Sequence, residues 1–208
     1  FWSHSLLMAI NMQELAKLTR VCAPDELFAC GLMAQIGNLA LATIYPEKYS
    51  DLMEKKTPDQ SMDELERQYL KTDHNELTAA MLLSFGVPKI FVESIYYHDR
   101  PDESGFSEGS RPFHIVHLLY LGKQIADFGL ADESQRNMRI SELLLLGGKI
   151  GLDTESFGAL IDQVMKEWQL WGRMLKISAA EMLPPFQKMM NAVAPRPESE
   201  MDAAPLRI

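Results

Sequence analysis

Apolar residues recur through the first twenty positions at Leu7, Ile10, Leu15 and Leu18, a spacing that keeps one face of a helix dry. Asp25 opens a second apolar segment, which includes GLMAQIGNLAL at 31–41. Pro46 closes that segment and starts a short polar helix, PEKYSDLMEK. Ser61 with Glu64, and Asp73 with Glu76, have the spacing of capping boxes ahead of ELERQYL and LTAAMLLSF. Gly86 supplies a C-cap, Pro88 starts PKIFVESIYYH, and Pro101 ends it. Residues 100–112 read as a loop, and a helix follows over 113–128 with Gly129 as its cap. Beyond it come MRISELLLLGGKI, a long DTESFGALIDQVMKEWQLWGRMLKI and a piece broken by Pro184-Pro185. No strand-like alternation of useful length and no internal repeat occurs. The pattern predicts an all-α protein.

Composition narrows the function classes. The chain has 208 residues, enough to bury a real core, and its net charge of −9 argues against nucleic-acid binding, which needs a basic face. No apolar run is expected to reach the roughly 18–20 residues that cross a bilayer, and no secretory signal precedes Phe1. Cys22 and Cys30 lack metal or redox spacing and read as reduced, packed thiols of a cytoplasmic protein. The Pro-, Ala- and Glu-rich end, NAVAPRPESEMDAAPLRI, has the composition of a linker. The start within a helix and this ending are read as a piece of something longer.

Candidate chemistry centres on the five histidines, His4, His74, His98, His114 and His117. His4, His74 and His98 fall on different predicted helices, which is how metal sites are assembled in helical bundles. Taken singly, each reads as a packed or surface histidine. GGKIG around Lys149 lacks phosphate-loop spacing, no G-x-S-x-G elbow occurs, and neither cysteine has a catalytic partner in a recognisable motif. Thirteen methionines read as core filling, and Trp168 and Trp171 as residues packing an added helical layer.

WSHSLLMAINMQELA, ELFACGLMAQIGNLAL and DHNELTAAMLLSFGVPKIFVESIYYHDRP together resemble the HDOD family, HD-related output domains of bacterial signalling proteins, over roughly residues 1–130. That family is similar in turn to HD and HD-GYP metal-dependent phosphohydrolases. The resemblance implies an HD-domain-like helical bundle over 1–130 whose upstream half lies outside this chain. It further implies a helical extension or connector over 131–190 and a flexible tail over 191–208. On the enzyme pattern, His4 falls on the first ligand histidine, Ala34 and Gln35 on the His-Asp pair, and Tyr120 on the late Asp. His74 falls on an additional HD-GYP histidine, and Tyr97-His98 or His98-Asp99 on that pattern's His-His pair.

Of the four mononuclear ligands, only His4 then survives. Alanine offers no donor, and glutamine and tyrosine offer only neutral oxygens, poor partners for a hard divalent ion. The resemblance therefore implies vestigial positions, with no cofactor, no metal and no catalytic residue. The expected function is a non-catalytic regulatory module that works through contacts with another signalling protein or an attached output domain such as GGDEF. A residual phosphohydrolase acting on a nucleotide or cyclic dinucleotide, and a small-ligand sensor using the vacated pocket, are the alternatives.

Overall fold

The computed structural model describes residues 1–57, 60–177 and 183–193, and among these every regular element is helical. In chain order they are α1 (Trp2–Thr19), α2 (Pro24–Met33), α3 (Ile36–Ile44), α4 (Pro46–Lys55), α5 (Met62–Leu70), α6 (His74–Ser84) and α7 (Lys89–Tyr96). After a short 3₁₀ turn at Pro101–Glu103 come α8 (Arg111–Leu130), α9 (Glu133–Lys149), α10 (Thr154–Leu175) and α11 (Phe186–Val193).

The first helix is not the one-faced helix that its leucine spacing predicts. It is central, packed against α2, α8 and α10, and buried from Ser5 through Met12 and again at Leu15 and Ala16. Leu18, placed on the dry face by the pattern, is instead exposed beyond the packed turns.

The apolar run 25–44 also divides. It bends at Ala34-Gln35 into two helices, because its two glycines belong to different contacts. A Cβ on Gly31 would lie 2.7 Å from the Met8 carbonyl oxygen of α1, and one on Gly37 would lie 2.0 Å from the His74 carbonyl oxygen of α6. Each helix approaches its neighbour backbone to backbone, which only glycine permits. Within Pro24–Ile44 an 18-residue window reaches a mean hydropathy of 1.7, enough to match a membrane span, contrary to the expectation from the sequence. Here it forms two helices set against different partners.

Local signals end and start most helices. Asp73, Ser110, Asp132 and Asp153 each accept hydrogen bonds from the first-turn amides of α6, α8, α9 and α10. Gly86, at φ +77°, closes the turn after α6. Ser61 stands at the start of α5 without a side-chain cap, and Glu76 bonds Thr72 rather than completing a box. Gly129 is no cap either: it lies inside α8, against Leu7 and Met165.

The C-terminal helices are built into the bundle. Phe128 of α8, Phe157 of α10 and Phe186 of α11 meet edge to face, with centroids 5.7 and 6.0 Å from Phe186. Trp168 is fully buried and its indole N–H donates to the Ser3 carbonyl at 3.2 Å, while Trp171 is half-exposed beside Phe28. The boundary expected after residue 130 thus falls between two helices that share one core. The tail expected from 191 is helical through Val193, and its remainder, 194–208, lies outside the described residues.

Candidate functional site

Two adjoining cavities of about 400 and 450 Å³ open between the N-terminal end of α1, α3–α6 and the face of α8. They share Lys56, Met62, His74 and Lys123. Of the sequence-predicted positions, His4, Gln35 and His74 line the first cavity and Tyr120 lines the second. Ala34 does not reach either; it is fully buried in the apolar core. His98 is also fully buried, behind Asp99, and its Nδ1–H donates to the Ile95 carbonyl at 2.7 Å.

His74 is the hub. Its Nδ1 donates to Glu66 Oε2 at 2.6 Å, its Nε2 to Asp99 Oδ2 at 3.1 Å, and its backbone N–H to the same Glu66 oxygen at 2.8 Å. Burial works against charging the ring, but the hydrogen bonds to Asp99 and Glu66 outweigh it and lift the pKa to about 9. His74 is therefore an imidazolium at neutral pH. Asp99 also accepts from the Lys123 ammonium and from Asn75 Nδ2 at 3.1 Å. Burial would raise its pKa, yet the surrounding cationic groups hold it well below the usual carboxylate range.

A second pair sits at the other end of the cavity. His4 Nε2 donates to Asp127 Oδ1 at 3.0 Å, and this bond, with Lys123 nearby, lowers the Asp127 pKa against the effect of burial. A third group closes the flank. Arg67 donates to Asp73 at 2.6 Å and Asp63 at 3.1 Å, and Arg100 reaches Asp63 at 3.2 Å.

Glu66, Lys123, Asp127 and the two arginines were invisible to motif reading. Tyr120, Lys123 and Asp127 do share one face of α8 by their spacing of three and four, a signal available in the sequence. The carboxylate that meets His4 is thus Asp127, two turns beyond Tyr120. Glu66 gave no such signal: it is fully buried on a short helix whose composition reads as solvent-facing.

The donor set does not suit a divalent metal. Both nitrogens of His74 are engaged by carboxylates, the residue at the position of the paired histidine is Ala34, and a lysine ammonium stands among the remaining oxygens. Among the described residues no three His, Cys, Asp or Glu side chains gather as a metal-holding group. What the arrangement can do is lock α1, α5, α6, α8 and the Asp99-Arg100 segment together through buried, paired charges.

The sequence profile of the HDOD domain matches residues 1–101. Residues 1–101 thus have the sequence character of an HDOD domain. Among curated proteins none matches it. Among solved structures, the MmoQ response regulator from Methylococcus capsulatus strain Bath is 31% identical, with a TM-score of 0.65 over 77% of this chain and 60% of that one. A fragment of the same regulator, 20–298, gives 29% identity and a TM-score of 0.59 over 75% of this chain and 58% of that one. A protein from Shewanella amazonensis SB2B, whose name proposes a phosphohydrolase, is 24% identical with a TM-score of 0.64 over 86% of this chain and 63% of that one, a likeness of fold. The chain spans between 58 and 63% of the length of these proteins. Their fold is the HD-domain-like helical bundle that the sequence predicts.

Proposed function

We propose that this HDOD chain is a non-catalytic regulatory module of a bacterial, cytoplasmic, multidomain signalling protein, acting through contacts with a partner protein or an attached output domain. The observation that carries the reading is how the histidines are bonded, His74 between Glu66 and Asp99 and His4 to Asp127. Metal-dependent hydrolysis needs neutral imidazoles and carboxylates free to bind an ion and activate water. Here His74 is an imidazolium between Glu66 and Asp99, His4 is bonded to Asp127, and Ala34 supplies no ligand. The residues that would do chemistry instead hold helices in register. The response-regulator name of the structural neighbour supports a signalling role for this chain.

The test is a hydrolysis assay with cyclic dinucleotides and bis-p-nitrophenyl phosphate in the presence of manganese, iron or magnesium, with metal analysis of the same sample. We expect no turnover above the protein-free rate. Stoichiometric bound metal together with turnover lost in His4→Ala would overturn the reading.

A small-ligand sensor is the second reading, favoured by the 400 Å³ cavity that Gln35, His4 and Lys123 line. A thermal shift with nucleotides that disappears in Gln35→Trp would support it.

A further inference from the structure

A larger groove, of about 920 Å³, lies on the other side of Tyr120, between α8, α9 and the turn Pro101–Glu103. Leu121 forms one wall and Leu144, Leu145 and Ile150 the other. Leu145 is 72% exposed, and Leu144 and Ile150 are only partly covered.

Gly148 also lines this groove, in the last turn of α9. A Cβ there would meet nothing within 4 Å, so no internal contact calls for a glycine. Glycine nevertheless weakens a helix by about 1 kcal/mol relative to alanine. Its effect is to leave bare backbone on the groove floor, where a second helix can come close.

The charges around the groove are uneven. Four carboxylates, Asp99, Asp102, Glu103 and Glu142, face two cations, Arg100 and Lys149. Asp99 is held by His74 and Lys123, and Arg100 is engaged by Asp63 and Glu103. Asp102 and Glu142 have no cationic partner among the described residues, and with Lys149 also outside any ion pair the groove keeps an uncompensated negative charge, in a chain of net charge −9. Along α9, Glu142, Leu145 and Lys149 stand at i, i+3 and i+7, spanning about 10 Å of helix. A helix seated in a two-helix groove anchors itself over this length.

We propose that the groove is the docking site for a basic amphipathic helix of a partner protein. Its apolar stripe lies between α8 and α9, and its lysines or arginines meet Asp102 and Glu142. The proposal rests on the reading of the chain as a module that works through contacts, and it names the surface and the partner's chemistry. Because Asp99, Arg100 and Tyr120 line both this groove and the polar cavity, an occupant would touch the wall of the charge cluster itself.

The test uses the whole chain, ¹⁵N-labelled, titrated with a fourteen-residue leucine–lysine helical peptide and its leucine–glutamate counterpart. The lysine peptide should give saturable shifts concentrated at 117–121 and 142–150, and the glutamate peptide should bind at least tenfold more weakly. Gly148→Phe fills the groove and should weaken the lysine peptide at least tenfold with an unchanged Tm. Should that variant lose stability, Glu142→Lys, an exposed change, should still weaken binding about fivefold. Shifts scattered over the surface, equal binding of both peptides, or indifference to both substitutions would overturn the proposal. So would a concentration-dependent dimer abolished by Leu145→Asp, which assigns the groove to a second copy. Metal-dependent turnover would defeat the regulatory reading and leave the peptide result standing, whereas absent peptide binding would do the reverse.

Discussion

Gly37 and Gly148 have the same side chain and opposite reasons for it. At Gly37 an added methyl would collide with the His74 carbonyl oxygen and come within 2.6 Å of the Thr78 hydroxyl, which also accepts the Gly37 N–H at 2.9 Å. Gly37→Ala must therefore push α3 off α6, and we expect a loss of about 3 kcal/mol in urea unfolding. Gly148→Ala meets no atom and gains helix propensity, so the same measurement should show a gain of about 0.5–1 kcal/mol. His74 adds a dependence on pH. Its folded pKa of about 9 lies above the ordinary unfolded value near 6.5, so its contribution is full below that lower value and is lost as pH rises through the upper one. The difference amounts to about 3 kcal/mol, and unfolding at pH 6 and pH 9 should reveal most of it. In His74→Gln that alkaline decline should be much flatter, although the variant starts out less stable because Glu66 and Asp99 lose their cation.

At the scale of elements, prolines, glycines and caps made the helices legible, whereas packing decided what the hydrophobic pattern could not. Pro46, Gly86 and Asp73 mark helix ends because their effects are local, fixed by φ, a missing N–H or a side-chain acceptor. The break at Ala34-Gln35 is not local: Gly31 answers to Met8 of α1 and Gly37 to His74 of α6, each more than twenty residues away. Burial of α1 on nearly every side was hidden for the same reason, since Asn11 and Ser5 are polar yet enclosed. The site was legible in part. His4, Gln35 and His74 are marked by the family resemblance, but Glu66 and Lys123 acquire their roles only when α5 and α8 close around α6. Trp168 offers a test at this scale. It is fully buried and tied to Ser3 at the start of α1, so Trp168→Ala should destabilise the chain by about 3–5 kcal/mol. Trp171→Ala, at a half-exposed position, should lose far less in the same thermal melt.

For the molecule as a whole, the decisive question is where a folding unit ends. The family profile stops at residue 101, before α8, yet α8 supplies Lys123 and Asp127 to the charge cluster and packs along α1. The extension is equally committed: Gly129 lies against Met165 as well as Leu7, and Phe128 meets Phe186. Cutting after residue 130 would remove Phe186 from Phe128, Met165 from Gly129 and Trp168 from the start of α1, exposing apolar residues of the shared core. The fragment 1–130 should therefore keep helical circular dichroism while losing a cooperative melt, and it should bind the dye ANS, as chains do when secondary structure survives without fixed packing. The whole chain should melt in one transition with no such binding. A well-dispersed ¹⁵N spectrum and a sharp melt from 1–130 alone would show that α9–α11 are an attachment. The shared phenylalanine core argues the contrary, and it would make the added helices the route by which a contact on α9 is felt at the charge cluster on α8.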